Sequence, residues 1–350
     1  WVAAREGLFG DPLIPYDRTT FDPAQKVFFP EAGFFAFFYP PHYQLMLLPL
    51  GALPFFGSLF VWQIATFAFV AWVMVRVTRN AKLTIMLAIS FPAAFLTFAH
   101  GQNAFLSAAL FATGLYLLPR RPVLAGVMFG LLTFKPQLGI LIPLALLVSL
   151  QWKAILSATL TTVALVVISA LVLGTEVWAA FLAQTSVATQ VLNEGTVGWA
   201  KMISVYSALR GFGLPYGLAM SAHALVVIAV SAIILIAWRR EVRVAWELKC
   251  AMLLIGALIV TPFGLNYDLY ILAPAAAFYL AAVPWAKMDG VERNCLIAGF
   301  FLPVTVLLTM TAGYSLAPWI VLLVFGAMAR TAFGSVTNRQ PIAKPKPVSA

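Results

Sequence analysis

Long apolar runs, separated by short polar or charged clusters, are the feature of this chain that most limits its fold. Charged residues make up only 10% of the 350 residues and hydrophobic residues 62%, whereas a soluble domain carries roughly 25% charged residues. Water could not solvate so much apolar surface, which indicates a lipid bilayer and excludes a soluble enzyme, a disordered chain and a disulfide-rich secreted domain. No alternating ten-residue pattern of a membrane barrel occurs, so the apolar runs are predicted to be helices.

We therefore predict an all-α, polytopic membrane helical bundle. Its candidate membrane segments number eleven and lie near residues 58–76, 83–99, 104–118, 123–134, 137–150, 154–173, 216–238, 250–262, 267–285, 295–311 and 316–329. The preceding apolar piece, 43–56, is broken by Pro49 and Pro54. As a helix it would reach about 21 Å, against a hydrocarbon core of roughly 30 Å, so we expect it to lie at the interface.

The basic residues predict the orientation of the bundle. Sixteen of the 22 Lys and Arg residues fall on one face of the predicted topology: Arg76, Arg79, Lys82, Arg120, Arg121, Lys153, Arg239, Arg240, Arg243, Lys249, Lys287, Arg293, Arg330, Arg339, Lys344 and Lys346. Cytoplasmic loops of membrane proteins are enriched in such residues, so this face is expected to be cytoplasmic. The net charge of +10 then reflects membrane anchoring, and no nucleic-acid partner is expected.

The same pattern divides the chain into three parts. Residues 1–57 are predicted to form an extracytoplasmic loop with juxtamembrane helices. Residues 58–330 are predicted to form the transmembrane helical domain, with an outer loop at 174–215. Residues 331–350 are polar and rich in proline, and are predicted to be a disordered cytoplasmic tail.

Lys135, in Thr133-Phe134-Lys135-Pro136-Gln137, is the most informative single residue. A helix over 123–134 spans only about 18 Å, so Lys135 is predicted to lie at membrane depth, where an ammonium costs roughly 2.5–3.5 kcal/mol. The helix must break at Lys135-Pro136, because an unbroken helix would carry the later arginines to the outer face. Lys135 is a candidate to bind an anionic phosphate; the alternative is a lysine whose stem lies in lipid while its ammonium reaches the interface.

Other polar residues interrupt the apolar runs on the same outer face. His100-Gly101-Gln102-Asn103 is either a tight turn or a group of side chains that binds a sugar or phosphate. Tyr267-Asp268 follows Thr261-Pro262, and Asp268 is either a helix-start residue favoured by the dipole or part of the cavity that contains Lys135. Gln137 and Lys201 are further candidates, although the aromatic residues near Lys201 also suit an interfacial belt.

The sequence contains no motif for several common kinds of chemistry. The chain contains no metal-ligand cluster, no phosphate-binding glycine loop followed by Lys-Ser/Thr, no Rossmann fingerprint and no Gly-x-Ser-x-Gly. Chemistry driven by ATP or a nucleotide-sugar is therefore not indicated. We predict neither a metal nor a cofactor.

A series of short motifs, in order along nearly the whole chain, resembles glycosyltransferase family 87. The motifs are an acidic outer loop, Tyr39-Pro40-Pro41, Pro49-Leu50-Gly51-Ala52-Leu53-Pro54, Gly101-Gln102-Asn103, Ala125-Gly126, Phe134-Lys135-Pro136, Trp199-Ala200-Lys201-Met202, Thr261-Pro262 and Tyr267-Asp268. Members of this family are integral-membrane glycosyltransferases of the C superfamily, which implies the corresponding helical bundle.

The resemblance implies that the protein transfers a sugar, a mannose-like hexose or a pentose, from a polyprenyl-phosphate donor. The acceptor would be an extracytoplasmic glycolipid or glycan, the anomeric carbon would be inverted, and the enzyme would lie in the inner (plasma) membrane. Cations would hold the leaving phosphate, and we expect Lys135, with Arg5 and Arg210, in that role. His100, Gln102, Asn103, Gln137, Tyr267 and Lys201 are the expected substrate-binding residues.

The resemblance also implies a catalytic aspartate in the first outer loop, acting as a base on the acceptor hydroxyl. Similar members carry an Asp-Phe pair a few residues before a Trp-Ala-Ala-x-Arg stretch, whereas here Trp1-Val2-Ala3-Ala4-Arg5 begins the chain. We therefore expect an N-terminal truncation, with the base upstream of Trp1. Asp17, Asp11 and Asp268 are the remaining candidates, although Asp11 and Asp17 also suit turns.

Two other functions fit some of these observations. A secondary transporter or lipid flippase would also need broken helices and a buried lysine, but the interrupted segments do not repeat in the two halves and lie toward the outer face. A non-catalytic envelope scaffold would leave Lys135 and Asp268 dispensable.

Overall fold

The computed structural model describes residues 1–196 and 198–337, and in these ranges the chain forms helices joined by short turns. The α-helices are α1 Val2–Phe9, α2 Arg18–Phe28, α3 Pro41–Gly51, α4 Phe55–Thr78, α5 Ala81–Ser90, α6 Pro92–Ala99, α7 Ala104–Leu117, α8 Pro122–Leu131, α9 Pro136–Gly139, α10 Leu141–Val148, α11 Trp152–Leu173, α12 Thr175–Glu194, α13 Val205–Gly211, α14 Tyr216–Trp238, α15 Trp246–Val260, α16 Leu272–Ala282, α17 Gly290–Met310 and α18 Ala317–Thr337. Single 3-10 turns cover Ile14–Tyr16, Leu132–Phe134, Trp199–Lys201 and Trp285–Lys287, and a longer 3-10 helix covers Asn266–Ile271. The all-α prediction is confirmed for the described residues.

Each predicted apolar run corresponds to a helix or a pair of helices, but only some are long enough to cross a bilayer. Within the described residues, five helices meet that test by length and composition: α4, α11, α14, α17 and the part of α18 up to Gly334. The pair α5 and α6, bent by 58° before Pro92, is a possible sixth span. The remaining predicted segments are shorter helices, so among the described residues five or six of the eleven predicted segments reach the length of a membrane span.

Proline and polar caps explain where many helices begin and end. Pro92, Pro122 and Pro136 start their helices, where a missing amide hydrogen removes no helical hydrogen bond. Asp289 and Glu292 form a capping box at the start of α17, each side chain accepting from the other residue's backbone N–H. The predicted break at Lys135-Pro136 is confirmed, since α8 ends at Leu131 and α9 starts at Pro136.

Two short helices form the centre of the bundle, and the long ones face outward. α7 and α15 are buried along most of their length. By contrast, only 6% of the apolar window of α11 is buried, and leucines such as Leu160 and Leu171 are exposed. An apolar exposed surface of this kind is the surface expected against lipid.

The loops collect at two opposite ends of the bundle. At one end, called here the basic end, Arg240 Nε donates to the carbonyl of Ser149 at 3.1 Å, joining the loops after α14 and α10. At the other, called the site end, Ile203 N donates to the carbonyl of Gly264 at 3.0 Å, beside an isolated bridge between Met202 and Leu265. The turns before α7, α9 and α16 lie at the site end.

The two predicted flanking regions differ in how far the structure describes them. Residues 1–54 form α1, α2 and α3 with their turns, and Trp1 Nε1 donates to the carbonyl of Leu53 at 2.8 Å, which joins the two ends of this region. At the other terminus α18 continues to Thr337, beyond the predicted boundary at 330, because the apolar helical pattern does not stop there. The rest of the predicted tail, 338–350, lies outside the described residues.

Close helix packing generates a stability prediction at Gly126. A Cβ there would lie 2.4 Å from the carbonyl oxygen of Ala154 on α11, which is backbone and cannot rotate away. Gly126→Ala should therefore lower the free energy of unfolding by about 1–3 kcal/mol. Gly139→Ala is the matched control, because a Cβ there meets nothing within 4 Å, and it should change stability by less than about 0.5 kcal/mol. Equal thermal shifts for the two variants in detergent would contradict this packing.

Candidate active site

Lys135 is held in the protein interior at a break between helices. The 3-10 turn Leu132–Phe134 ends at Lys135, whose φ of −128° and ψ of 68° are non-helical, as expected for a residue before proline. Its side chain is only 3% exposed. The predicted burial is confirmed, and the alternative of an ammonium that reaches the interface is not what the structure shows.

An ion pair and a hydrogen bond satisfy this buried ammonium. Lys135 Nζ lies 2.5 Å from Asp268 Oδ1 and donates to Asn103 Oδ1 at 2.9 Å. Its Nζ also lies 5.0 Å from the ring centroid of Tyr267, within cation–π distance. Asp268 and Asn103 are themselves buried, 2% and 3% exposed. Burial of either charge alone would be strongly unfavourable, so the pair and its hydrogen bonds depend on one another.

The two partners of Lys135 lie at different breaks between helices, both at the site end. Asn103 precedes α7, and Asp268 lies in the 3-10 helix before α16. Asp268 Oδ2 also accepts from the backbone N–H of Leu265 at 3.3 Å, which caps that 3-10 helix. A single charged cluster therefore joins the starts of α7, α9 and α16. The sequence placed all three residues on one face, and the structure shows them in direct contact.

Three tyrosines surround the cluster, two of them from the N-terminal region. Tyr43 is buried and stacks on Phe134 with 4.5 Å between ring centroids, and its hydroxyl interacts with the side chain of Asn103. The hydroxyls of Tyr39 and Tyr267 face one another, and both side chains are half-buried. Tyr39 was predicted only as part of the family motif Tyr39-Pro40-Pro41, and Tyr43 was not predicted as a site residue. The aromatic residues beside that Pro-Pro pair were the available signal.

Four other predicted substrate-binding residues make no hydrogen bond or ion pair to Lys135 or Asp268. His100 Nδ1 lies 2.8 Å from the carbonyl of Leu96, which fits a helix C-terminus. Gln102 accepts from Gln63 Nε2 at 3.2 Å through its backbone carbonyl. Gln137 is half-buried two residues beyond Lys135, and Lys201 is exposed.

The two predicted arginines also lie in other surroundings. The Arg5 guanidinium lies 5.4–5.5 Å from the ring centroids of Trp1, Phe9 and Phe28. Arg210 donates to the carbonyls of Leu214 at 2.9 Å and Asn193 at 3.2 Å, so its guanidinium holds the loop before α14. Neither arginine contacts the cluster in the described structure.

Asp11 and Asp17 both stabilise local turns. Asp11 Oδ1 accepts from the backbone N–H of Leu13 at 2.8 Å, and Asp17 Oδ1 accepts from the N–H and hydroxyl of Thr19, both at 2.8 Å. Asp17 is the N-cap of α2. The hydroxyl and backbone N–H of Thr19 lower the pKa of Asp17, because they bind its ionised form. The turn alternative considered for both residues accounts for these contacts.

The ion pair generates a prediction about stability. Lys135→Met leaves the Asp268 carboxylate buried without its partner and should lower the free energy of unfolding by about 3–5 kcal/mol. The double variant Lys135→Met/Asp268→Asn removes both charges but keeps an acceptor for the Leu265 N–H, so it should recover most of that loss. Lys201→Met, an exposed lysine at the same end, should change stability by less than about 0.5 kcal/mol. Thermal unfolding in detergent measures all three, and a double variant no more stable than Lys135→Met would contradict a coupled pair.

Comparison with known proteins gives one match. No curated protein and no solved structure matches the chain. The sequence model of glycosyltransferase family 87 matches residues 37–262, which include Tyr39, Tyr43, Asn103 and Lys135. Because this match extends over more than half of the chain, the protein belongs to glycosyltransferase family 87 and is a membrane glycosyltransferase.

Proposed function

We propose that this enzyme transfers a mannose-like hexose or a pentose from a polyprenyl-phosphate donor to an extracytoplasmic glycolipid or glycan, with inversion at the anomeric carbon. The family supports glycosyl transfer in a membrane. The proposal of a lipid-phosphate donor rests on the charged cluster of Lys135, Asn103 and Asp268 at the site end. A lipid-phosphate donor needs a cation near the membrane interface, and Lys135 is the buried cation at this end.

In this proposal Lys135 binds the donor phosphate through one N–H of its ammonium, the one that Asn103 and Asp268 do not accept. An ammonium has three N–H donors, and Asn103 and Asp268 accept two of them. The third would meet a phosphate oxygen that enters past the hydroxyls of Tyr39 and Tyr267, which can donate to the same phosphate. As the sugar leaves, negative charge grows on that phosphate, and a fixed buried cation stabilises it.

Asp268 is proposed to position Lys135. Its Oδ1 contacts the ammonium and its Oδ2 accepts from Leu265, so both oxygens have partners. A carboxylate whose two oxygens both accept hydrogen bonds, one of them from an ammonium, is a weaker base than one with an unpartnered oxygen. Asp11 and Asp17 each keep Oδ2 without a hydrogen-bond partner among the described residues, so they stay candidates for the base. Their Asn variants keep the turns and test this role, because an amide cannot accept the proton.

Arg5 and Arg210 are secondary candidates for the donor phosphate, and His100, Gln102, Gln137 and Lys201 for the substrates. Lys201 is exposed at the site end, where an acceptor would arrive. Arg5 would need to leave its aromatic neighbours, and Arg210 the two carbonyls that it binds. We therefore rank both arginines below Lys135.

The transfer assay uses membranes containing the protein and a set of polyprenyl-phosphate sugars labelled in the sugar. Lys135→Met should reduce transfer by about 100-fold, the effect of losing a charged hydrogen bond of 2–3 kcal/mol in the transition state. Lys135→Met/Asp268→Asn should stay equally inactive although it is folded, and Lys153→Met, which changes an exposed lysine at the basic end, should keep more than half of the wild-type rate. Transfer at the wild-type rate by the double variant would show that the pair is only structural.

The same assay separates transfer from transport. A transferase forms a new glycosidic bond, whose anomeric configuration by NMR should be opposite to that of the donor. A carrier or flippase would move the intact donor across the membrane and form no product. Retention of configuration would contradict the inverting mechanism, and transport without product would contradict the proposed donor chemistry.

The proposed extracytoplasmic site predicts a topology. With Cys250 and Cys295 replaced by Ala, a cysteine at Lys201, which is exposed at the site end, should react with an impermeant thiol reagent in intact cells. A cysteine at Glu241, exposed at the basic end, should react only after the membrane is opened. The reverse labelling would place the site in the cytoplasm.

A further inference from the structure

An apolar cavity of about 550 Å³ lies among helices α4, α5, α16, α17 and α18, and no residue of the charged cluster lines it. Its walls include Leu83, Phe91, Leu272, Ala276, Trp285 and Phe300. The lining contains two hydroxyls, those of Thr78 and Thr84, and they bond to each other at 2.5 Å. The cavity therefore presents hydrocarbon and aromatic surface, which is unsuited to a sugar.

The cavity is long in the direction of the helices. Its lining runs from Leu83 on α5 to Phe91 at the bend before α6, eight residues or about 12 Å at 1.5 Å per residue. Along α16 it runs from Leu272 to Leu280, the same length. Phe91, the last lining residue along α5, contacts Tyr270 with 5.8 Å between ring centroids. An apolar cavity of this length fits a hydrocarbon chain.

Three cations lie next to lining residues of the cavity at the basic end of the bundle. Arg79, Lys82 and Lys287 are exposed, and each lies within two residues of a lining residue: Thr78, Leu83 and Trp285. Trp285 is 47% exposed, as is common for tryptophan at the level of lipid headgroups.

The acidic residues closest in sequence do not neutralise these cations. Asp289 forms an ion pair with Arg330, and Glu292 is buried and accepts from the Tyr279 hydroxyl at 2.9 Å. The mouth of the groove is therefore net positive. A cluster of Lys and Arg at the membrane surface attracts anionic lipid headgroups, at about 1 kcal/mol for each residue.

We propose that this groove binds one acyl chain of an anionic phospholipid from the leaflet at the basic end, with the headgroup phosphate against Arg79, Lys82 and Lys287. Charge complementarity at the mouth selects this occupant over a zwitterionic lipid. A donor lipid whose phosphate binds Lys135 would have its own headgroup at the opposite end of the bundle, so the two sites are distinct. The inference does not depend on the proposed transfer reaction.

The test is photolabelling of the protein in lipid nanodiscs. The probes are phosphatidylglycerol and phosphatidylcholine that carry the same diazirine acyl chain, and labelled peptides are identified by mass spectrometry. Phosphatidylglycerol should label α5, α16 or α17 at least about 10-fold more than phosphatidylcholine does. Equal labelling by the two lipids, or labelling elsewhere only, would overturn the proposal.

Two kinds of variant test the groove itself. Ala276→Phe places a ring in the cavity and should reduce labelling at least 5-fold. Ala232→Phe is the matched control, because Ala232 lines a second apolar hollow, also at the basic end and flanked by Arg239 and Arg240, and it should leave labelling unchanged. Lys82→Gln/Lys287→Gln keeps the cavity and should reduce the preference for the anionic lipid about 5-fold or more.

A competition experiment tests whether the cavity binds the polyprenyl chain of the donor instead of a phospholipid. Addition of unlabelled polyprenyl phosphate should leave the phosphatidylglycerol label in place, whereas unlabelled phosphatidylglycerol should remove it. Loss of the label with polyprenyl phosphate alone would assign the groove to the donor and overturn the phospholipid proposal. Failure of sugar transfer, by contrast, would leave this result unchanged.

Discussion

The contact between Lys135 and Asp268 is the interaction on which the site end of this bundle depends. Each charge is buried in the protein interior, where burial without the other would be strongly unfavourable, and Asn103 accepts one further hydrogen of the ammonium. Because the three residues precede or begin three different helices, the pair fixes how α7, α9 and α16 start relative to one another. Irregular backbone inside a helical membrane protein needs partners for its polar groups, and this cluster supplies such partners at the breaks before α7, α9 and α16.

The same arrangement separates two kinds of surface in one molecule. At the site end, polar side chains and tyrosine hydroxyls meet where helices break. At the basic end, arginines and lysines border apolar surface. A lipid-linked substrate requires both a charged site near the interface and a hydrocarbon environment beside it.

Much of the fold could be predicted from the sequence, since apolar runs and their proline boundaries are local signals. The break at Lys135-Pro136 followed from charge placement, and the burial of Lys135 followed from the shortness of the preceding helix. The number of spanning helices was harder to predict, because a run such as 250–262 is equally apolar whether it crosses the bilayer or fills the bundle. Its burial on all sides depends on neighbours that are distant in sequence.

The site was predictable in part for a related reason. Lys135, Asn103 and Asp268 each carry a polar group into an apolar run, so they were visible one by one. The ion pair joins Lys135 to Asp268, which lie 133 positions apart, and no local pattern encodes that contact. The roles of Arg5 and Arg210 depend on aromatic rings and carbonyls around them, which only the tertiary structure shows.

The proposed chemistry depends on binding of the donor phosphate at the buried ammonium. A structure of the protein in a bilayer with a bound polyprenyl phosphate would show this binding directly. We expect a phosphate oxygen about 3 Å from Lys135 Nζ, beside the hydroxyls of Tyr39 and Tyr267. A phosphate bound elsewhere, with Lys135 still enclosed by Asn103 and Asp268 alone, would contradict it.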